Sequence, residues 1–192
     1  LIAALGAAQG SRVRREEFDA VDLAPGSVDV LTMNHLLEHV PTPRATLERA
    51  ASLLRSGGLL EVEVPRGDGW GPRLLGRWWW PHLPPQHLHL FSRAGLERVL
   101  RELGLEVVTT QIAGYPLTVT AGWVAMVRAT IGRSSPRAGS PLWRALAWLV
   151  GSLGLPTTLL FDVLVAPLLD LRGGDIVTVV ARKPCGLGTS AR

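Results

Sequence analysis

The stretch Val28 to Pro65, VDVLTMNHLLEHVPTPRATLERAASLLRSGGLLEVEVP, decides the fold, because it reads as strand, helix and strand with a polar corner after the first strand. Val28, Val30, Leu31 and Met33 form a short apolar run of the kind that suits a strand buried on both faces of a parallel sheet. Asn34 and His35 end the run. Polar residues just past the carboxyl end of a parallel strand stand where open α/β sheets place their ligands, so this corner is the first candidate site. Pro43 opens a helix, since a first-turn amide has no intrahelical partner to lose, and Thr42 is its predicted N-cap. Leu47, Ala50, Ala51 and Leu54 continue at helical spacing. Gly57 and Gly58 supply a left-handed turn predicted to stop that helix, after which Leu59, Leu60, Val62 and Val64 resume strand character. The unit is βαβ, the signature of a parallel sheet.

Working outward, Leu1 to Ala8 has the small-apolar look of a helix ended by Gln9-Gly10, and Arg12 to Arg15 is a predicted short strand. Glu16 to Asp19 follow it, then a turn at Ala24-Pro25-Gly26-Ser27. Downstream, residues 65–92, PRGDGWGPRLLGRWWWPHLPPQHLHLFS, are too rich in glycine and proline for a regular element. Trp78, Trp79, Trp80, His82, His87 and His89 give this loop large amphipathic surfaces and groups that titrate near neutrality. Ser92 caps a helix with Leu96, Val99, Leu100 and Leu103 on one face and Gly104 as its stop, and Leu105 to Ile112 is the next strand. Gly132 to Pro141 is a polar linker. Leu142 to Leu171 is apolar with Arg144, Asp162 and Asp170 as its only charges. Within it Ala145 to Phe161 is uncharged but shorter than the roughly 20 residues of a spanning helix, and Gly151, Gly154 and Pro156 predict two short helices instead. They could cover the sheet, form a homodimer interface or lie on a membrane surface. Ile176 to Ala181 closes as a strand, and Pro184 to Arg192 is a predicted disordered tail.

At 192 residues the chain holds one substantial core. The expected organisation is a single α/β domain over 1–183, with an apolar helical insertion at 113–173 and a tail at 184–192. Twenty basic against 16 acidic residues give a net charge of +4, but the arginines are scattered and no RNA-binding motif interleaves them with aromatics, so nucleic acid is not an expected partner. Cys185 is the sole cysteine, which rules out an intrachain disulfide and fits a reducing cytoplasm. Leu1 to Ala8 is too short for a signal peptide and has no charged leader. The leucine start reads as a fragment.

The PGSVDVL strand entry, the LLEHVPTP corner and the LLRSGGLLEVEVP turn, in this order and spacing, resemble the middle of a class I S-adenosylmethionine-dependent methyltransferase of the ubiquinone-biosynthesis O-methyltransferase type. The likeness runs over about residues 12 to 112. It implies a Rossmann-like sheet, S-adenosylmethionine as cofactor, and an acid that bonds the adenine amino group beside a residue whose backbone amide meets the ring. Those roles fall on Glu17 and Phe18, whose other reading is a solvated acidic loop. Asn34 and His35 then hold the methionine end largely through main-chain atoms, or His35 merely caps the strand. The segment PPQHLHLFS resembles a PPxHLHxFS element of a bacterial branch of the family. His87 is the candidate base for a hydroxyl acceptor, with His39 second; the alternative is a packed lid whose histidines bond backbone.

His35 to His39 also spells H-x-x-E-H, a zinc-peptidase pattern that needs a long helix, and Pro41 and Pro43 forbid one here. Some related O-methyltransferases bind a divalent ion through acids and a histidine in this corner, matching Glu38 and His39. His35 stands where those carry another acid, so no metal ligand is assigned. The family's opening strand, glycine-rich turn and helix are absent, because Gly6 and Gly10 lack both a preceding strand and G-x-G spacing. The expected sheet is incomplete at its amino terminus. The expected activity is methyl transfer to an oxygen or nitrogen of a small-molecule, glycan or lipid-linked acceptor. The rival is a non-catalytic Rossmann-like module that binds a membrane or a partner.

Overall fold

The computed structural model describes residues 17–82, 85–115, 117–131 and 140–185. The expected helix at Leu1 to Ala8 and strand at Arg12 to Arg15 lie outside them, as do nearly all of the linker and most of the tail. Four strands, β1 (Val28–Asn34), β2 (Leu54–Pro65), β3 (Glu106–Ala113) and β4 (Ile176–Arg182), form one sheet in the order β1-β2-β4-β3. β1 and β2 are parallel, whereas β4 runs antiparallel to both β2 and β3. The crossover between β1 and β2 is α1 (Pro43–Leu53), and α3 (Arg93–Glu102) precedes β3. Leu47 and Ala50 of α1, Leu96 and Leu100 of α3, and Leu60, Val62, Val64, Val177 and Val179 of the sheet share one core. The sheet is Rossmann-like, as expected.

Several local expectations give way to tertiary structure. β1 is not buried on both faces: only Met33 is buried, and Val30 is 57% exposed, because β2 is the strand's single partner among the described residues. Its other edge carries no ladder among the described residues. The α1 helix ends at Leu53, not at the glycines, and Gly57 (φ 78°) and Gly58 instead sit in a bulge where Val28 pairs with Leu54 but Val30 pairs with Leu59. A Cβ on Gly58 would approach the Arg55, Val28 and Asp29 carbonyl oxygens to 2.9–3.1 Å, so the bulge requires glycine. Lys183 Nζ donates to the carbonyls of Ala51 and Leu54, both at 2.8 Å, and satisfies the helix end in the glycines' place. Thr42 occupies the N-cap position without a side-chain bond; its carbonyl accepts from Thr46 instead. Ser92 caps α3 as expected, accepting from the Gly95 amide, and Gly104 (φ 77°) follows it.

The 65–92 segment is more regular than its composition suggested, with a helix α2 (Trp70–Leu75) and a 3₁₀ turn at Gly76–Trp78. Its organiser is Asp175, fully buried, which accepts from the Gly71 amide at 2.8 Å and from Trp79 Nε1 at 3.2 Å. After β3 come α4 (Thr118–Ile131), α5 (Pro141–Leu164) and α6 (Ala166–Gly173). α5 is one continuous 24-residue helix with Pro156 inside it, where the sequence predicted two short helices. Val127 against Gly151, Trp123 against Gly154, and Val119 and Thr120 against Asp162 show that α4 and α5 pack antiparallel. That long contact carries the helix through its breakers.

Candidate active site

The parallel pair delivers the carboxyl ends of β1 and β2 to one place. Asn34 pairs with Glu63, and the His35 amide donates to the Glu63 carbonyl at 2.9 Å. His35 then takes a left-handed conformation (φ 51°) that residues other than glycine rarely adopt, a mark of a corner over-determined by its surroundings. Its ring lies between two carboxylates, with Nδ1 3.2 Å from Glu38 Oε1 and Nε2 3.4 Å from Glu63 Oε1. The His39 amide closes the turn onto the Leu36 carbonyl, which buries Leu37 and Glu38 completely.

Tyr115, just after β3, stacks on His35 at 5.8 Å between ring centroids and places its hydroxyl 3.4 Å from Nδ1. Trp80 meets the other side of Tyr115 edge-on at 4.7 Å. Burial first, then the Glu38, Glu63 and Asp175 carboxylates, push the Tyr115 phenol well above its ordinary range. It therefore keeps its proton, and the corner is an acidic pocket lined by aromatic rings.

The lid reaches this corner through its backbone, since the Leu88 and His89 amides donate to the Glu38 carbonyl at 2.7 and 3.3 Å. His87 comes to rest beside His39, ring centroids 4.6 Å apart and nearly perpendicular. His39 Nδ1 bonds the Gln86 carbonyl at 3.0 Å and His87 Nδ1 bonds the Pro81 carbonyl. A carbonyl oxygen only accepts, so each Nδ1 carries a hydrogen and Nε2 is the atom through which the neutral form of either ring could accept a proton or bind a cation. Beside them Glu38 Oε2 is buried and has no hydrogen-bond partner among the described residues. Donor atoms of Glu38, His39 and His87 all lie within 4.8 Å of one another.

The structure thus joins His35, His39 and His87, with Asn34 exposed at the end of β1. Glu17 and Phe18 stand apart, in contacts with other elements. Phe18 packs on the core, Arg49 of α1 lies over its ring at 5.7 Å and donates to its carbonyl, and the Glu17 carbonyl accepts from Ala20. His82 is exposed, while His89 Nε2 is buried without a partner among the described residues. Sequence reasoning missed Glu63 and Tyr115, and named Trp80 only as one of the loop's aromatic residues. Glu63 left a signal, as a charged residue at the end of an otherwise apolar strand, and Tyr115 is the chain's sole tyrosine.

A family model described as a methyltransferase domain matches residues 6–110, more than half of the chain and the whole of the β1 corner. The chain belongs to this methyltransferase family. The methyltransferase domain is 48% identical over 58 residues to a ubiquinone biosynthesis O-methyltransferase of Cupriavidus pinatubonensis, covering 29% of this chain and 23% of that protein. It is 30% identical over 100 residues to the ubiquinone biosynthesis O-methyltransferase of Burkholderia pseudomallei, covering 48% of this chain and 43% of that protein. The chain therefore spans less than half the length of these curated relatives. Among solved structures, the 1,6-didemethyltoxoflavin-N1-methyltransferase of Burkholderia thailandensis, with bound S-adenosylhomocysteine, superposes with a TM-score of 0.51 at 18% identity, over 95% of this chain and 56% of that one. That likeness establishes the fold: the half-sheet is that of S-adenosylmethionine-dependent methyltransferases.

Proposed function

We propose that the methyltransferase domain transfers the sulfonium methyl of S-adenosylmethionine to a hydroxyl of a small-molecule acceptor, as part of a longer polypeptide whose next strand pairs with the open edge of β1. The observation that carries this reading is the meeting of an acidic, aromatic corner with two imidazole lone pairs at the carboxyl ends of β1 and β2. The cofactor's methionine end is cationic at its ammonium and sulfonium, and the Glu38 and Glu63 carboxylates, the Tyr115 and Trp80 rings and the main chain of Asn34 and His35 suit it. Glu17 and the Phe18 amide are assigned to the adenine. Bound there, S-adenosylmethionine would supply an activated methyl group to the acceptor oxygen and leave as the neutral thioether, and His87 Nε2 would take the hydroxyl proton. His39 is the alternative base. Because the donor is already activated, most of the acceleration comes from alignment and exclusion of water, which the tryptophan-rich lid provides.

Choice of oxygen over nitrogen rests on the paired bases and on the activity named for the curated relatives. Incubation of the polypeptide, extended upstream through the missing strand, with S-adenosylmethionine and a panel of small phenols tests it. Formation of S-adenosylhomocysteine dependent on a phenol is the expected result. Transfer only to amines would replace the acceptor class. Failure even to bind cofactor would favour the non-catalytic module.

One observation favours a second use of the same residues. A buried carboxylate oxygen without a donor is costly, and two histidines that each give Nδ1–H to a carbonyl are the usual companions of a metal ion. Glu38, His39 and His87 fit a divalent cation in ligand type and spacing. A cation there would polarise an acceptor hydroxyl. Calorimetric titration with Mn²⁺ or Zn²⁺, repeated on Glu38→Gln, separates this use from the base pair.

A further inference from the structure

α5 presents an outer face that water does not suit. Leu142, Leu149, Leu153, Leu160 and Leu164 lie on the side opposite α4 and are 52–80% exposed, with Val150 and Val163 beside them. By length and composition α5 is apolar enough to cross a membrane, and nearly all of its apolar window is unburied. A helix on the surface of a soluble domain ordinarily carries polar residues on that side.

Charge indicates what covers this face. From Gly114 to Phe161 the sequence contains no Asp or Glu, whereas Arg128, Arg133, Arg137 and Arg144 fall at or between the facing ends of α4 and α5. The sequence of this hairpin is therefore cationic while the outer face of α5 is apolar, the pairing that binds an amphipathic element to anionic lipid. Trp148, 69% exposed, adds the amphipathic ring that settles at a lipid–water boundary. Beside it Trp123, Val127, Trp148 and Leu155 line an apolar groove of about 170 Å³ with Arg128 at its rim.

Geometry argues against spanning. α4 has 14 residues, about 21 Å at 1.5 Å per residue, too short to cross a hydrocarbon core of about 30 Å as the partner of α5. One face of α5 is also fixed to α4, where the Asp162 carboxylate accepts from the Val119 and Thr120 amides at 2.9 and 2.7 Å. We propose that the α4–α5 hairpin is a membrane-docking element that lies in the plane of an anionic bilayer surface, its leucine face in the acyl boundary and its arginines drawn to the headgroups. Such seating holds the domain at a lipid surface whatever its acceptor. It stands independently of the methyl-transfer reading.

Co-sedimentation tests the proposal directly. The full chain should pellet with vesicles of phosphatidylcholine containing phosphatidylglycerol, weakly with phosphatidylcholine alone, and less as salt rises. Leu153→Glu with Leu160→Glu should lower vesicle affinity by about tenfold or more, with the circular dichroism of the folded chain retained. Should that variant unfold, the unsubstituted chain decides through quenching of tryptophan fluorescence by brominated lipid, which Trp148→Phe should reduce. Absence of both pelleting and quenching overturns the proposal. So does a soluble dimer that the leucine substitutions dissociate, since that result would give the face to a second copy of the chain.

Discussion

Glu38 is the pivot of the corner, because its carboxylate faces His35, its carbonyl holds the Leu88 and His89 amides, and one of its carboxylate oxygens lies within 4.8 Å of ring nitrogens of His39 and His87. On the proposed reading His87, which this arrangement holds beside His39, is the base. His87→Ala is expected to lower turnover by about 10²-fold or more while S-adenosylhomocysteine affinity stays nearly constant, the signature of a general base. Loss of turnover and affinity together would make His87 a structural part of the lid. The three histidines were legible in the sequence because they flank a strand end and a PPxHLHxFS element. Glu63 and Tyr115 were not, since sheet register and packing, which no local pattern encodes, bring them to His35.

At the scale of elements, a buried carboxylate, Asp175, organises what composition could not. Gly71 has to be glycine, because a Cβ there would sit 2.0 Å from Asp175 Oδ2. Gly71→Ala should therefore expel Asp175 from its bonds to Gly71 and Trp79, destabilise the domain by about 1–3 kcal/mol and expose Trp79, visible as a red-shifted fluorescence maximum. An unchanged spectrum and melting curve would show that Asp175 does not organise the lid. Glycine and proline content suggested only a loop, and the buried acceptor that folds it lies about a hundred positions away. α5 repeats the lesson: Gly151, Gly154 and Pro156 are breakers in isolation, yet the small residues let Val127 and Trp123 approach closely. The helix they were expected to end is instead packed through them.

α3 is joined to β3 by Glu97, whose carboxylate receives Arg93, Arg101 and Thr110 and is only 12% exposed. The hydrogen bond from Arg93, with those from Thr110 and Arg101, outweighs burial and lowers its pKa from 4.5 to about 2. A carboxylate depressed on folding stabilises the native state above its unfolded value and loses that contribution as pH falls from about 4.5 toward 2. Glu97→Gln should cost roughly 1–3 kcal/mol at pH 7 and almost nothing near pH 2. Urea unfolding at both pH values checks the sign. An equal loss at both would assign the effect to packing.

For the whole molecule, strand order is the informative feature. β1 and β2 form a parallel pair, β4 and β3 complete an antiparallel edge, and the outer side of β1 is unpaired among the described residues. The βαβ unit was legible because its periodicity and Pro43 agree, although the glycine pair marks a bulge in β2 and not the helix stop. The exposure of β1 was not, because an apolar strand reads alike whether its neighbour is present or absent. Coverage of less than half of the curated relatives accords with a strand that belongs beside β1. The measurement that bears most directly on the methyltransferase reading is calorimetric titration of S-adenosylhomocysteine into this chain and into the polypeptide extended upstream by about 60 residues, two strand and helix units. The extended protein should bind one equivalent, about tenfold or more tighter than the present chain. Absence of binding by the extended protein, or equally tight binding by the present chain alone, would contradict the site described at the end of β1.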